Sequence, residues 1–169
     1  IPCLPLLSFL VLLLFGRKMK ESSGYIGTIL TFGAFVLSSV ILVERLSAPS
    51  YKAETVWLMI GDIFVTAGFE INQLNALMLV IVSLVSVLVH TYSMGYMKGD
   101  ARISVYYSYL GLFTFAMLGL VMSPNLLQLY FFWELVGLGS FLLIGSHIHK
   151  EAAKAAARKA FIMTRIGDI

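Results

Sequence analysis

Between Ile103 and Trp133 the chain reads ISVYYSYLGLFTFAMLGLVMSPNLLQLYFFW, without one charged side chain. As a single helix this run would be roughly 46 Å long, too long for one crossing of a hydrocarbon core about 30 Å thick. Pro124 resolves the excess. Inside a helix, proline removes a hydrogen bond and its ring clashes with the preceding turn. Ser123-Pro124-Asn125 is therefore a break. It divides the run into one span over 104–122 and a second over 125–146.

On either side of it, three more uncharged stretches reach or approach the length of about 20 residues that a crossing needs. They are 1–16, 24–43 and 71–97, and a further apolar run begins at 156. This predicts an all-α polytopic membrane protein with five full spans and the start of a sixth. The chain divides into 1–44 (two spans), 45–70 (an extracytoplasmic segment) and 71–169 (spans three to six). Within 45–70, Thr55–Met59 and Ile63–Thr66 are rich in β-branched and aromatic residues and flank Gly61-Asp62, which predicts a short hairpin.

Composition agrees. Apolar residues make up 59% of the chain and charged residues 12%, against about 45–50% and about 25% in soluble domains. The mean hydropathy is +0.91. A disordered chain, a nucleic-acid binder and an ordinary soluble enzyme are excluded. The single cysteine, Cys3, excludes an internal disulfide framework and a multi-thiolate metal site. The chain starts at Ile1 and stops inside an apolar run, which reads as a piece of a longer protein. No signal peptide is expected, because no basic residue precedes the apolar run Leu4–Phe15.

Basic residues orient the spans. Arg17, Lys18, Lys20, Lys98, Arg102, Lys150, Lys154, Arg158 and Lys159 lie in the loops after spans one, three and five. Arg45 and Lys52 lie on the opposite side. The first set of loops is expected inside and the N-terminus outside. Tyr92, Tyr96, Tyr106, Tyr107 and Tyr109 read as the aromatic belt of the inner interface.

Ionisable residues within spans are few. Glu134 lies almost at the middle of span five. A charge at that depth costs at least ~2.5–3.5 kcal/mol, so it persists for function or because a partner neutralises it. Arg165 and Asp168 are three apart, share a helix face and can pair. Spans five and six are consecutive, so Asp168 reaches roughly the depth of Glu134. A carboxylate, a guanidinium and a second carboxylate at mid-membrane are the composition of a proton relay. Burial favours the neutral carboxyl and a nearby cation favours the ionised one. A moving cation can therefore switch a carboxyl between holding and releasing a proton. The competing reading is a static clamp between helices.

Gly137, Gly139, Ser140 and Gly145 read as close-packing positions. His90, near the inner end of span three, is a candidate for an interfacial hydrogen bond or for the proton path. His147 and His149 read as a solvated loop, since two ligands do not make a metal site. No phosphate loop, nucleophile–base pair, haem or iron–sulfur ligand pattern is present, so no metal site is assigned.

Three segments carry a family resemblance. They are His90-Thr-Tyr-Ser-Met-Gly-Tyr-Met97 with Gly99-Asp100, the stretch from Asn125 through Phe132-Trp133-Glu134 to Gly145, and Lys159–Asp168. They resemble spans three, five and six of the antiporter-like subunit, called L or 5, of proton-pumping NADH:quinone oxidoreductase (complex I). The resemblance covers residues 70–169, and the first 70 only in layout.

It implies an antiporter-like helix bundle in a membrane arm that translocates protons coupled to quinone reduction. It implies that Glu134 is a central proton-channel residue paired with a Lys on a later helix, and that Arg165 and Asp168 match the family's sixth-span pair. It implies no redox chemistry in this chain. NADH, FMN, iron–sulfur clusters and quinone would be held by other subunits. Partners would be the other membrane-arm subunits and lipid, with no nucleic acid. The expected host is a bacterial cytoplasmic membrane, with the mitochondrial inner membrane as the alternative. The chain departs from the family at Asn72-Gln73-Leu74, where an Asp usually stands first, and at Phe132, where Gly often precedes Trp-Glu. The Phe-Trp-Glu form also resembles the A-type subunit of Mrp-type sodium/proton antiporters, which is the first alternative. Leu135–Gly139 and the Arg-Ile-Gly-Asp ending favour the complex I subunit. A structural scaffold without an ion path is the second alternative.

Overall fold

The computed structural model describes residues 1–19, 22–60, 63–146 and 151–168. It contains six helices and one two-stranded sheet in the order α1 (Cys3–Met19), α2 (Ser22–Ser47), β1 (Tyr51–Ile60), β2 (Ile63–Ile71), α3 (Gln73–Tyr96), α4 (Ile103–Val121), α5 (Leu126–Ile144) and α6 (Glu151–Asp168). The fold is thus mostly, not wholly, helical. Four helices, α2 to α5, are long and apolar enough to cross a membrane, and the apolar part of α1, Cys3–Gly16, is shorter. α6 is amphipathic and does not meet that standard, so the count of five spans and a sixth exceeds what helix length and apolarity establish.

Pro124 sits where the chain turns. α4 ends at Val121 and α5 starts at Leu126. Asn125 caps α5 by accepting from the Gln128 amide at 2.8 Å. Asn72 caps α3 in the same way through the Asn75 amide at 2.8 Å. A neutral amide oxygen does this work as well as a carboxylate, so the missing family Asp leaves the helix start intact.

α4 is the enclosed helix. It packs against α1, α2, α3 and α5, whereas α6 packs on α5. The small core around it is Leu12, Met97, Ile103, Tyr107 and Leu110. Much of the interior is polar but small: Ser8, Ser23, Thr31, Ser38, Ser83, Ser104, Ser108 and Thr114 are buried. Small side chains let helix backbones approach where lipid supplies no hydrophobic drive for association. At Gly111, a Cβ would come within 3.0 Å of the Pro5 carbonyl oxygen, so α1 and α4 cross there only because that side chain is missing.

Hydrogen bonds sort the helix ends. At one end the Ser104 hydroxyl donates to the Gly16 carbonyl at 2.7 Å, so Ser23 donates to Ser104 at 2.6 Å. Arg102 donates to the Ser146 carbonyl at 3.0 Å. These bonds gather the ends of α1, α2, α4 and α5. At the other end stands the antiparallel hairpin, in register from Tyr51↔Ile71 to Ile60↔Ile63 with a shift between Val56 and Leu58. Its Glu70 amide donates to the Met122 carbonyl at 3.0 Å. Gly61-Asp62, Lys20, Lys150 and the His147/His149 pair lie outside the described residues.

Candidate functional site

The start of α5 is fastened to the hairpin. Asn125 Nδ2 donates to the Thr66 carbonyl at 2.8 Å. Gln128 Nε2 donates to the Gly68 carbonyl at 2.8 Å, and the Gly68 amide donates back to Gln128 Oε1 at 2.9 Å. From this anchor α5 runs uninterrupted, so Glu134 lies about 12 Å along its axis from Leu126.

α6 lies antiparallel against α5. The Phe141 and Phe161 rings are 5.2 Å apart. A Cβ on Gly145 would sit 3.7 Å from Ala157, and one on Gly137 would sit 3.8 Å from Thr164 Oγ1. This register brings Arg165 to Glu134, and the guanidinium forms an ion pair with the carboxylate. The Glu134 side chain is 18% exposed and Arg165 36%. Arg165 also lies over the Phe161 ring, its Cζ 4.9 Å from the centroid. The planar guanidinium thus uses an edge for the carboxylate and a face for the ring.

Spacing within α6 alone suggested that Arg165 pairs with Asp168. Across the helix pair, the structure gives Arg165 the partner Glu134. The register of α5 and α6 sets position 168 level with Glu134; the Asp168 side chain lies outside the described residues. A Lys on a later helix is the cation the family resemblance implied for Glu134. Within this chain, the cation on Glu134 is Arg165.

An open cleft of about 530 Å³ separates α5 from the hairpin, lined by Trp57, Thr66, Gly68, Gln128, Phe132 and Glu134 among others. Glu134 therefore meets Arg165 and also borders a cleft that reaches the hairpin. The glycines of α5 pack. Gly139 receives Phe113, with a Cβ there only 3.2 Å from its Cδ2, and Ser140 donates to the Val136 carbonyl at 3.0 Å.

His90 is a separate centre. It is fully buried among α2, α3 and α4 and does not join the Glu134–Arg165 pair. Its Nδ1 donates to the Ser86 carbonyl at 2.8 Å, and its Nε2 lies 3.3 Å from Thr31 Oγ1. Thr31 lies 2.8 Å from the Gly27 carbonyl. The Tyr107 hydroxyl donates to the His90 carbonyl at 2.7 Å. His90 thus faces the interior of the bundle and makes its hydrogen bonds there. The expectation for Tyr107 is corrected. It is fully buried in the core and is not part of the interfacial belt, whereas Tyr92 and Tyr96 are exposed and stack 6.1 Å apart.

Sequence reasoning missed Thr31, Ser86 and Tyr107 as partners of His90. Hydroxyls recurring within uncharged spans were the available signal for Thr31 and Tyr107; Ser86 acts through its backbone carbonyl, which any residue would supply.

Residues 57–107 match the family described as NADH-ubiquinone oxidoreductase (complex I), chain 5 N-terminus. Residues 123–169 match NADH:quinone oxidoreductase/Mrp antiporter, TM. Together the two matches take in more than half of the chain. The F(420)H(2) dehydrogenase subunit L of Methanosarcina mazei is 43% identical over the whole chain, which covers 25% of that protein. The chloroplastic NAD(P)H-quinone oxidoreductase subunit 5 of Chara vulgaris is 43% identical over 99% of the chain and 26% of its own length. NAD(P)H-quinone oxidoreductase chain 5 of Synechocystis is 45% identical over 80% of the chain and 20% of its own length. The chain thus spans about a quarter of the length of such relatives.

Among solved structures, the membrane-bound sulfane sulfur reductase, an archaeal respiratory membrane complex, superimposes with a TM-score of 0.82 at 17% identity, over 98% of this chain and 33% of that one. The Mrp complex from Dietzia gives 0.78 at 21% identity, over 99% and 18%. These two likenesses speak for the antiporter-like fold alone. Sequence matches across both halves of the chain carry the assignment further: the chain belongs to the family of antiporter-like membrane subunits, L or 5, of NADH:quinone oxidoreductase.

Proposed function

We propose that the chain forms part of a membrane-arm subunit that translocates protons coupled to quinone reduction, and that Glu134 carries a proton. The Glu134–Arg165 pair, with the carboxylate midway along α5 and 18% exposed, is the observation that carries the reading. With the guanidinium in place, the ionised carboxylate is compensated. Withdrawal of Arg165 would leave that carboxylate uncompensated on the apolar helix α5, and the cheapest relief is to bind one proton on a carboxyl oxygen. Return of Arg165 would expel that proton. Asp168, at a position level with Glu134 in the register, is proposed as the second carboxylate of the relay. His90, within its hydroxyl cluster, is proposed as a further step on the path.

In this reading α1 to α5 are five crossings and α6 starts a sixth. The hairpin faces the outside, and the loops bearing most of the basic residues face inside. The chain performs no redox step. Nicotinamide, flavin, iron–sulfur clusters and quinone sit in other subunits, and the partners are those membrane-arm subunits and lipid. A bacterial cytoplasmic membrane is the proposed host, in keeping with the cyanobacterial relative.

The test is Glu134→Gln in the intact enzyme, with substrate-driven, quinone-dependent acidification recorded in sealed inverted vesicles. Gln keeps the shape and hydrogen bonds but carries no proton. The reading expects acidification to collapse while the complex assembles and still oxidises its donor with an artificial acceptor. Normal acidification would leave Glu134 as a packing clamp. The match shared with Mrp antiporters supports a second reading, the A-type subunit of such an antiporter. Absence of donor-driven pumping in the unaltered protein, with sodium-gradient-driven proton exchange present, would favour it.

A further inference from the structure

At the end of the bundle away from the hairpin, α4, α5 and α6 enclose a cleft of about 290 Å³. Its lining combines the cations Arg102, Lys154 and Arg158 with Tyr109, Phe141 and Leu142. We infer that this cleft binds the phosphate headgroup of an anionic phospholipid, with an acyl chain laid over Phe141 and Leu142.

The three cations come from two segments of chain far apart in sequence, and among the described residues no carboxylate lines the cleft. Nearby acids are turned to other tasks. Glu151 reaches Lys154 at 2.8 Å from a position 86% exposed, an exposed pair too weak to cancel a cation. Asp100 Oδ1 accepts the Arg102 amide at 2.7 Å. Arg158 has no ion-pair partner among the described residues. The site therefore presents two guanidinium groups with no ion-pair partner among the described residues, beside a lysine paired with exposed Glu151.

The site is also pre-organised. The Arg102 guanidinium is held by the Ser146 carbonyl at 3.0 Å, which fixes one prong of its fork and leaves further N–H donors. Guanidinium donors match phosphate oxygens bidentately. Lys154 and Arg158 are one helical turn apart and share a face of α6.

Depth and wall chemistry decide the class of ligand. The cleft opens where α5 ends at Ile144 and α4 begins at Ile103. Exposed Tyr92 and Tyr96 mark the same end as an interface. A free inorganic anion has no use for an aromatic and aliphatic wall. A headgroup on the cations with a chain on Phe141 and Leu142 satisfies both halves. Basic pockets between membrane helices on the inner side are suited to anionic headgroups.

The experiment uses the intact complex in nanodiscs of phosphatidylcholine alone or with one-fifth phosphatidylglycerol, including a photoreactive phosphatidylglycerol. Cross-links are mapped by peptide mass spectrometry. The expected result is cross-linking to the segment around Phe141 and Leu142 that phosphatidylcholine does not give. In the surface variant Lys154→Gln/Arg158→Gln the yield should fall roughly 30-fold, at about fivefold for each cation removed. Arg102→Gln, which also removes the bond to the Ser146 carbonyl, serves as a second variant and should lower the yield as well. Inorganic phosphate should not compete. Equal labelling in the variant and the unaltered protein, or labelling by phosphatidylcholine as strong as by phosphatidylglycerol, would overturn the site. Displacement of the lipid by inorganic phosphate would overturn the lipid as occupant. None of these outcomes depends on whether Glu134 carries a proton.

Discussion

Arg165→Met tests the energetic role of the α5–α6 ion pair. Met keeps an unbranched stem over the Phe161 ring but removes the guanidinium, leaving the Glu134 carboxylate with 18% exposure and no cation. Breaking a buried pair by deleting one partner costs about 3–5 kcal/mol. Arg165 is a third exposed, so water screens part of the interaction, and the low end, about 3 kcal/mol, is expected. Glu134→Gln/Arg165→Met removes both charges and should recover most of that loss, because no uncompensated charge remains. A double-mutant cycle isolates the coupling. The assay is the heat or denaturant midpoint of the purified full-length subunit in detergent, followed by exposure of a buried thiol placed in α5. Arg165→Met should lower the midpoint by several degrees and the double variant should restore it. An Arg165→Met protein as stable as the unaltered one, or a double variant as damaged as the single, would refute the pairing.

Three further outcomes follow from the packing. A Cβ on Gly119 would overlap the Phe132 ring, so Gly119→Ala should cost about 1–3 kcal/mol, and Phe132→Leu should rescue it in the same thermal assay. Tyr107→Phe removes the bond to the His90 carbonyl and should cost about 0.5–1.5 kcal/mol, seen as faster amide exchange near the inner half of α3. Asn125→Ala removes both the α5 cap and the bond to Thr66. It should cost about 0.5–2 kcal/mol and sharply raise protease cleavage in the hairpin while leaving cleavage between α1 and α2 unchanged.

Where helices begin and end was legible because it depends on local chemistry. Pro124 and Asn125 mark the α4–α5 turn whatever surrounds them, and α5 starts within one residue of that mark. The position of Glu134 midway along α5 followed from counting along an uncharged run. Which way each helix faces was not legible. In a soluble protein the apolar stripe names the buried face, but lipid is as apolar as a core and erases that signal. α5 is nearly uniformly apolar, so its sequence does not say that Gly139 meets Phe113 or that Glu134 meets α6. Tyr107 shares its composition and depth with the interfacial tyrosines, and only the packing of α4 against α2 and α3 buries it. The same ambiguity hid Thr31, whose hydroxyl matters because His90 lies across from it. For Arg165, spacing within one helix named Asp168, three residues away, as partner. Its partner on α5, Glu134, needed the α5–α6 register, which depends on contacts far apart in sequence.

In the proposed mechanism Glu134 gains and loses a proton during turnover. Infrared difference spectroscopy on the intact complex, comparing resting and steadily turning-over states, observes the carboxyl group itself. A proton-carrying Glu134 predicts a carboxylic acid C=O band that appears on turnover, shifts in deuterium oxide and is missing in Glu134→Gln. A band unchanged by that substitution, or no carboxyl signal at all while the unaltered complex pumps, would contradict it.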